Sequence, residues 1–288
     1  MNDFAVFILS HGRANKVVTY KSLRRAGYSG KIYIIVDNED KQIEEYKKNY
    51  GEQVIVFDKQ KQLEITETMD NFGTKQTVLF ARNVNFQIAK ELGIQYFLQL
   101  DDDYGSWEST FSYKAEERDG YLITFNHKQI KNLDKIFEEI LKFFKNTPIR
   151  ALALAQRGDF VGGKDNVKST ITALRKCMNT WFLKTNEPIE FIGTMNDDYN
   201  TSLLYSSRGA IFLTLTQITI GHNPTQTTEG GITELYKRQG TYVKTFYSVM
   251  LMPSAVKVSV LGSTYPRIHH KAYWDLIAPK IIREEYKK

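Results

Sequence analysis

Apolar runs alternate with amphipathic segments over the first 105 residues of this 288-residue chain. Unbroken apolar runs of four to six residues are typical of central strands that are covered on both faces. Such runs predict strands at residues 4–9, 31–36, 54–57 and 96–100. Apolar residues at helical spacing predict helices over 17–25, 40–50 and 78–92. This alternation predicts an α/β fold with a mostly parallel sheet.

The second half of the sequence continues less regularly. Its patterns predict a hairpin over 109–126 that turns at ERDG, a strand at 151–155, helices over 131–144 and 199–206, and a short aromatic helix near the C-terminus. Two segments, 157–166 and 225–231, are polar and contain glycine, which predicts loops. No repeat or linker divides the chain. We therefore expect one domain, 1–288.

Polar residues follow three of the predicted strands. Ser10, His11, Gly12 and Arg13 follow the first strand, Asp37 ends the second, and Asp101, Asp102 and Asp103 follow the fourth. The carboxyl ends of parallel strands share one edge of a sheet, where ligands bind in open α/β folds. The sequence therefore predicts a site at this edge.

The segment FLQLDDDYGSW places three aspartates directly after a buried strand. Adjacent negative charges repel one another, and their desolvation is costly. Carboxylates are the ligands that Mg²⁺ and Mn²⁺ prefer, and these ions keep open positions for phosphates. The pattern favours a divalent cation at this acidic run. A solvated turn or a helix cap is the alternative.

Each neighbouring polar residue has two possible interpretations. Asp37 could accept hydrogen bonds from a ribose or a base, or it could form a turn. Arg13, with Ser10 and His11, could hold a phosphate or a base, or it could lie on the surface. Arg82 could reach a diphosphate or sugar hydroxyls, or it could make a surface ion pair.

Two later groups also carry candidate chemistry. Asp197 and Asp198 in GTMNDDYN could supply a general base, or they could cap a helix. His269 and His270 could complete an oxygen-rich metal site, which would favour Mn²⁺ over Mg²⁺, or they could be structural.

Composition narrows the class of protein. The net charge of +6 suits contact with phosphate. Basic residues interleaved with aromatics, which could contact a nucleic acid, are Tyr236, Lys237, Arg238, Tyr242, Lys244 and Tyr247, and Lys164, Lys168, Arg175, Lys176 and Trp181. Two ordinary amphipathic segments are the alternative. The single cysteine, Cys177, excludes an internal disulfide and fits a reducing cytoplasm. We expect no signal peptide and no membrane span.

The order of these motifs resembles the GT-A class of nucleotide-sugar glycosyltransferases. The motifs are FAVFILSHGRA, a strand ending in VDN, ARNVNFQIAKELG, FLQLDDD, a late NDD and histidines near the C-terminus. The opening ILSHGRANK, with VDNED, ARN and QLDDDY, resembles more narrowly the TET-associated glycosyltransferases. That group includes phage DNA glycosyltransferases and the kinetoplastid enzyme that glucosylates hydroxymethyluracil in DNA.

The resemblance implies a GT-A fold with a nucleotide-sugar half, 1–105, and an acceptor half, 106–288. It also implies that Asp101 and Asp103 bind Mn²⁺ or Mg²⁺, joined by His269 or His270. The residues implied at the nucleotide sugar are Ser10, His11, Gly12, Arg13, Asp37, Arg82, Asp101 and Asp102. Asp197 or Asp198 would be the acceptor-side base.

The function that this resemblance implies is transfer of a sugar, in particular from UDP-glucose, to the hydroxymethyl group of a modified pyrimidine in DNA. A glycosyltransferase acting on a polysaccharide or a protein is one alternative. A metal-dependent nucleic-acid-binding or phosphoryl-transfer protein is another. The sequence leaves the stereochemistry and the oligomeric state open.

Overall fold

The computed structural model describes residues 2–118, 121–156, 175–222, 233–261 and 266–278. The described helices are α1 (Val18–Arg25), α2 (Ile43–Tyr50), α3 (Lys59–Ile65), α4 (Leu79–Glu91), α5 (Leu133–Lys145), α6 (Asp197–Ser207), α7 (Thr233–Leu251) and α8 (Trp274–Ile277). The described strands are β1 (Phe4–Leu9), β2 (Lys31–Asp37), β3 (Val54–Phe57), β4 (Tyr96–Asp101), β5 (Tyr104–Arg118), β6 (Tyr121–Gln129), β7 (Ala151–Gln156), β8 (Thr180–Lys184), β9 (Phe212–His222), β10 (Val256–Leu261) and β11 (Arg267–Ala272).

Within the described ranges, nine strands form one sheet in the order β3-β2-β1-β4-β8-β7-β9-β5-β6. The first four strands of that order are parallel, with Leu9 of β1 paired with Asp101 of β4. Beyond β4 the sheet is mixed, because β8 runs antiparallel to both β4 and β7 while β9 runs parallel to β7. Strands β10 and β11 form a separate antiparallel pair.

This strand order places a topological switch point between β1 and β4. The chain moves outward from β1 to β2 and β3, then returns to the other side of β1 for β4. In open α/β sheets, ligands bind at such a switch point, at the carboxyl ends of the strands. The segments that follow β1 and β4 pack on the same face of the sheet, since Leu23 of α1 and Trp107 of β5 belong to one core cluster. Since Leu100 pairs with Thr180, the start of antiparallel β8 lies at this same edge.

Strand β1 is buried along its whole length, and its side chains alternate between the two faces of the sheet. Phe4, Val6 and Ile8 pack into one core cluster with residues of α5, while Ala5, Phe7 and Leu9 pack into a second cluster with residues of α4. Helices on both faces explain why this strand is an unbroken apolar run rather than an alternating one.

The structure confirms the α/β class, the four parallel strands of the first half, and the hairpin, here β5 and β6. Helix α3 is an addition, because KQKQLEI carries too few apolar residues for the helical pattern to be visible. The predicted loops at 157–166 and 225–231 lie outside the described residues.

Phe137 on α5 is the centre of an aromatic cluster in the first core. Its ring lies 5.9 Å from that of Phe4, 5.3 Å from Tyr28, 5.8 Å from Trp107 and 5.5 Å from Phe182. We expect Phe137→Ala to lower the free energy of unfolding by about 3–5 kcal/mol, because a cavity remains among these rings.

Urea denaturation of the purified variant measures this change. Phe143→Ala is the matched control, since Phe143 lies on the same helix with 36% of its surface exposed. Equal losses in the two variants would contradict this account of the core.

Candidate functional site

The loop after β1 is bound to the acidic turn after β4. The Ser10 hydroxyl donates to Asp102 Oδ2 at 2.6 Å, and Arg13 Nη1 donates to Asp102 Oδ1 at 2.7 Å. Tyr46 of α2 supports this loop, because its hydroxyl oxygen lies 2.7 Å from Ser10 Oγ and accepts from the Arg13 N–H at 2.9 Å. Asp102 is buried, and both of its oxygens are used within the protein.

A second network surrounds Asp37 at the end of β2. Asp37 Oδ2 lies 2.6 Å from His11 Nδ1, and Asp37 Oδ1 lies 3.1 Å from Lys59 Nζ. Nearby, Asp40 Oδ2 accepts from the Gly12 N–H at 2.6 Å. The hydrogen bond to Asp37 raises the pKa of His11 above its usual range. Although burial acts to raise it, the pKa of Asp37 is held below its usual range by His11 and Lys59.

Thr19 of α1 fixes the backbone of the acidic turn. Its hydroxyl donates to the Asp101 carbonyl at 2.6 Å and accepts from the Tyr104 N–H at 2.9 Å. The Thr19 N–H donates to the Asp102 carbonyl at 3.1 Å. These bonds replace the ladder partners that the turn leaves behind, so that three adjacent aspartates can leave a buried strand in a defined direction.

The three aspartates have different surroundings. Asp102 points back to the first loop, whereas Asp101 faces Arg82 at 3.3 Å and the Tyr104 hydroxyl at 3.4 Å. Asp103 is half-buried and makes no hydrogen bond or ion pair with any residue that the structure describes. Asp103 is thus the member of the triplet whose oxygens the described protein does not use.

Asp101 lies among more negative than positive charge. Loss of water on burial, with repulsion from Asp103 and Asp197, raises the pKa of Asp101 to about 7, although the Arg82 guanidinium opposes the rise. A carboxyl with a pKa near neutrality is typical of a functional site.

The second acidic pair opens α6. Asn196 before it has a φ of +57°, a left-handed conformation that asparagine tolerates, and no side-chain hydrogen bond caps the helix. Asp197 Oδ2 lies 2.6 Å from Arg82 Nε, and Asp198 Oδ2 accepts from Lys176 Nζ at 2.9 Å. Although burial acts to raise it, the pKa of Asp198 is lowered by Lys176. Burial raises the pKa of Asp197, against the effect of Arg82.

His269 and His270 of β11 lie beside the second acidic pair. The His270 ring packs on Tyr199 at 4.2 Å and on His269 at 4.3 Å, and its Nδ1 lies 3.4 Å from Asn196 Nδ2. Burial and the neighbouring His269, Lys176 and Lys244 lower the pKa of His270 to about 3. Hence its imidazole is neutral at pH 7.

The described residues include all the predicted metal ligands, and these form no group of three or more acids, histidines or cysteines suited to a metal. Asp101 ends β4 and Asp103 lies in the turn that follows, whereas His269 and His270 lie near Lys176 and Asp198. The joint ligand set therefore stays a prediction.

Several residues that contact the predicted site residues could not be predicted from the sequence. Lys59, Tyr46 and Asn179 bind predicted site residues, yet they are far from them along the chain and belong to no motif. Lys176 is predicted at a nucleic acid, but its salt bridge to Asp198 has no local signal. Trp181 is completely buried on β8, which excludes stacking on an extruded base. Tyr247 is also buried, with its hydroxyl on Thr194 and Asp70.

None of the described helices is long and apolar enough to cross a membrane. No curated protein matches the chain. The chain is similar to several solved structures, and three of these are complexes with a nucleotide or a nucleotide sugar. Each has a TM-score below 0.5.

Glucosyl-3-phosphoglycerate synthase from Mycobacterium tuberculosis, in complex with Mg²⁺ and UDP, is 8% identical with a TM-score of 0.45, and the match covers 93% of this chain and 87% of that one. TarS 1–349 from S. aureus, in complex with UDP-GlcNAc, is 12% identical with a TM-score of 0.44, covering 82% and 64%. The mannosyltransferase PcManGT from Pyrobaculum calidifontis, in complex with GDP-Man and Mn²⁺, is 9% identical with a TM-score of 0.44, covering 88% and 74%.

A match to a family of known sequences covers most of the chain. Residues 4–231 match the TET-associated glycosyltransferases, a range that contains β1, the acidic turn after β4 and the Asp197–Asp198 pair. This match confirms the resemblance predicted from the sequence. The chain belongs to the TET-associated glycosyltransferase family and is a glycosyltransferase.

Proposed function

We propose that the protein transfers a sugar from a nucleoside diphosphate sugar, UDP-glucose or a relative, to the hydroxymethyl group of a modified pyrimidine in DNA. The observation that carries the proposal is the joining of two acidic segments by one buried residue, Arg82. Asp101–Asp103 would serve the nucleotide, and Asp197–Asp198 would serve the acceptor. Family membership favours glycosyl transfer over phosphoryl transfer.

We assign residues 1–105 to the donor and 106–288 to the acceptor. In the donor half, Asp37 is an ionised carboxylate at a strand end, suited to accept hydrogen bonds from a ribose or a base. Arg13 is held by Asp102 at the same edge of the sheet. Ser10, His11 and Gly12 shape the loop between these two groups. Asp102 acts through its hold on Ser10 and Arg13.

Asp103 and Asp101 fit a divalent cation by the chemistry of their donor atoms. Mg²⁺ is commonly bound by one or two carboxylates together with substrate phosphates and waters, so a larger protein cage is not required. The unengaged carboxylate of Asp103 meets that need, and His269 or His270 would add a nitrogen ligand. The cation, when bound, supplies positive charge that stabilises the departing diphosphate.

On the acceptor side, Asp197 is engaged by Arg82. We therefore assign Asp198 to accept the proton of the acceptor hydroxyl in an inverting transfer. Lys176 holds Asp198 in its ionised form, the form that a base requires.

Positive charge around Asp198 supports a nucleic-acid acceptor. Lys176, Lys244 and Arg267 all act on the ionisation of nearby groups in this region. Cations next to Asp198 would bind the phosphates that flank a target nucleotide. The modified pyrimidine itself would leave the base stack to reach the donor, at a cost of about a few kcal/mol. Such an enzyme would act in the cytoplasm, where DNA and nucleotide sugars are both present.

The direct test combines wild-type protein, Mn²⁺, a panel of nucleotide sugars, and DNA containing hydroxymethylcytosine or hydroxymethyluracil. Mass analysis of the DNA nucleosides should show a hexose or a pentose added to the modified base. Metal-dependent hydrolysis of the donor without added mass on DNA would contradict the DNA acceptor and favour a polysaccharide or a protein.

Asp103→Ala should abolish transfer, a fall in turnover of about 10²-fold or more, because the leaving diphosphate loses its stabilisation. The free energy of unfolding should not fall, since Asp103 holds no described residue. Turnover and urea denaturation measure the two effects. Glu138→Ala, which removes an exposed acid from α5, is the control. Wild-type turnover in Asp103→Ala would refute the assignment.

His11 should titrate above its ordinary pKa of 6.5, because Asp37 stabilises its protonated form. The stabilisation from this pair is complete below pH 6.5 as long as Asp37 stays ionised, and it is lost as the pH rises through the raised pKa of His11. Asp37→Asn should lower the His11 pKa and remove that dependence. An NMR titration of the His11 ring measures it, with Glu39→Gln as the matched control. An unchanged pKa in Asp37→Asn would contradict the network.

A further inference from the structure

Arg82 lies where the two acidic segments meet. Its side chain is 1% exposed, and it comes from α4, an element separate from both segments. Nε lies 2.6 Å from Asp197 Oδ2, and Nη2 lies 3.3 Å from Asp101 Oδ1 and donates to Asn179 Oδ1 at 3.1 Å. One guanidinium therefore spans the end of β4, the start of β8 and the start of α6.

The surroundings hold the guanidinium in one orientation. The guanidinium carbon, Cζ, lies 5.7 Å from the centre of the Phe191 ring. Asn179, which accepts from Nη2 through its side chain, also accepts from the Tyr104 hydroxyl through its carbonyl at 3.0 Å. Tyr104 in turn reaches Asp101 Oδ2. Arg82, Asn179, Tyr104 and Asp101 thus close a ring of polar contacts beneath the acidic turn.

A buried ion pair of this kind is a poor source of stability, because desolvation of the charges offsets most of their attraction. Buried apolar groups of similar volume would stabilise the fold at least equally well. What the guanidinium adds is geometry, since its rigid planar fork can contact two carboxylates at a set separation. A lysine has a single charged nitrogen and cannot span both.

We propose that Arg82 is a positioning residue for glycosyl transfer, which sets the distance between the diphosphate-side acid Asp101 and the acceptor-side pair Asp197–Asp198. In this role Arg82 acts through the acids that it holds, rather than by contact with the nucleotide sugar. By engaging Asp197, it also leaves Asp198 as the acceptor-side base. The proposal rests on the proposed donor but does not depend on the acceptor being DNA.

The consequence is a split between rate and affinity. The residues assigned to the nucleoside and the first loop, such as Asp37 and Arg13, make no contact with Arg82. Arg82→Lys keeps the positive charge and loses the fork. We expect its kcat to fall by about 10²-fold, since a misplacement of about 1 Å has effects of that size. We expect its affinity for UDP measured without a divalent metal, to which Asp101 does not contribute as a metal ligand, to stay at the wild-type value.

The test measures three quantities for each variant: kcat with the nucleotide sugar that the wild-type protein turns over, the Kd of UDP by calorimetry without a divalent metal, and the midpoint of thermal unfolding. Lys184→Gln is the matched control. It removes a buried cation of β8 whose Nζ lies 3.4 Å from Glu187. This control should unfold at a lower temperature with kcat unchanged.

A double-mutant cycle adds a readout that a merely structural role would not change. If Arg82 acts through Asp197, the kcat losses of Arg82→Lys and Asp197→Asn should not multiply in the double variant. A double variant about as slow as the slower single variant supports the proposal. Losses that multiply would overturn it.

Three further outcomes are decisive. Wild-type kcat in Arg82→Lys would refute the positioning role alone and leave the proposed function intact. Weakening of UDP binding in step with kcat would show that Arg82 binds the donor directly, which also refutes the role. If the wild-type protein turns over no nucleotide sugar, the proposed donor is wrong and the positioning role fails with it.

Discussion

Repulsion between carboxylates at the carboxyl edge of one sheet is the constraint on which the site depends. Asp101, Asp102 and Asp103 leave β4 together, and Asp197 and Asp198 approach the same edge from α6. Each acid but Asp103 has a described cation partner, from Arg13, Arg82 or Lys176. The two acidic segments can lie close together because Arg82 contacts both. Asp103 makes no ion pair with the described cations, which is why we propose it as the contact for a cation brought by a substrate.

The sheet explains why these groups meet. Strands β1 and β4 are parallel neighbours, so the first loop and the acidic turn begin at the same level. Antiparallel β8 starts at this level too and brings Asn179 and Lys176 to the edge. The chain reverses its direction of travel across the sheet between β1 and β4, and such switch points are where open α/β sheets bind ligands. A one-residue slip of β4 would move its acids away from Ser10 and Arg13.

The two halves of the site differ in chemistry. On the proposed donor side, the described acids Asp37, Asp40 and Asp102 are held by hydrogen bonds to a loop, which suits recognition of a fixed nucleotide. On the proposed acceptor side, Lys176, Lys244 and Arg267 accompany Asp198 and the neutral His270. Positive charge around an ionised acid suits an anionic polymer that presents a hydroxyl, and this contrast is the physical basis on which we propose DNA as the acceptor.

The α/β class, the four parallel strands and the acids at the strand ends could all be predicted from the sequence, because apolar runs and strand-end polar residues are local patterns. The sequence also determined the family, through motifs such as FAVFILSHGRA and QLDDDY. Tertiary structure decided how the acids are used: that Asp102 holds the first loop, that Arg82 joins Asp101 to Asp197, and that Trp181 belongs to the core. Ion pairs between residues 19 to 115 positions apart leave no periodic trace in the chain, because they depend on strand order and register, which only the folded sheet defines.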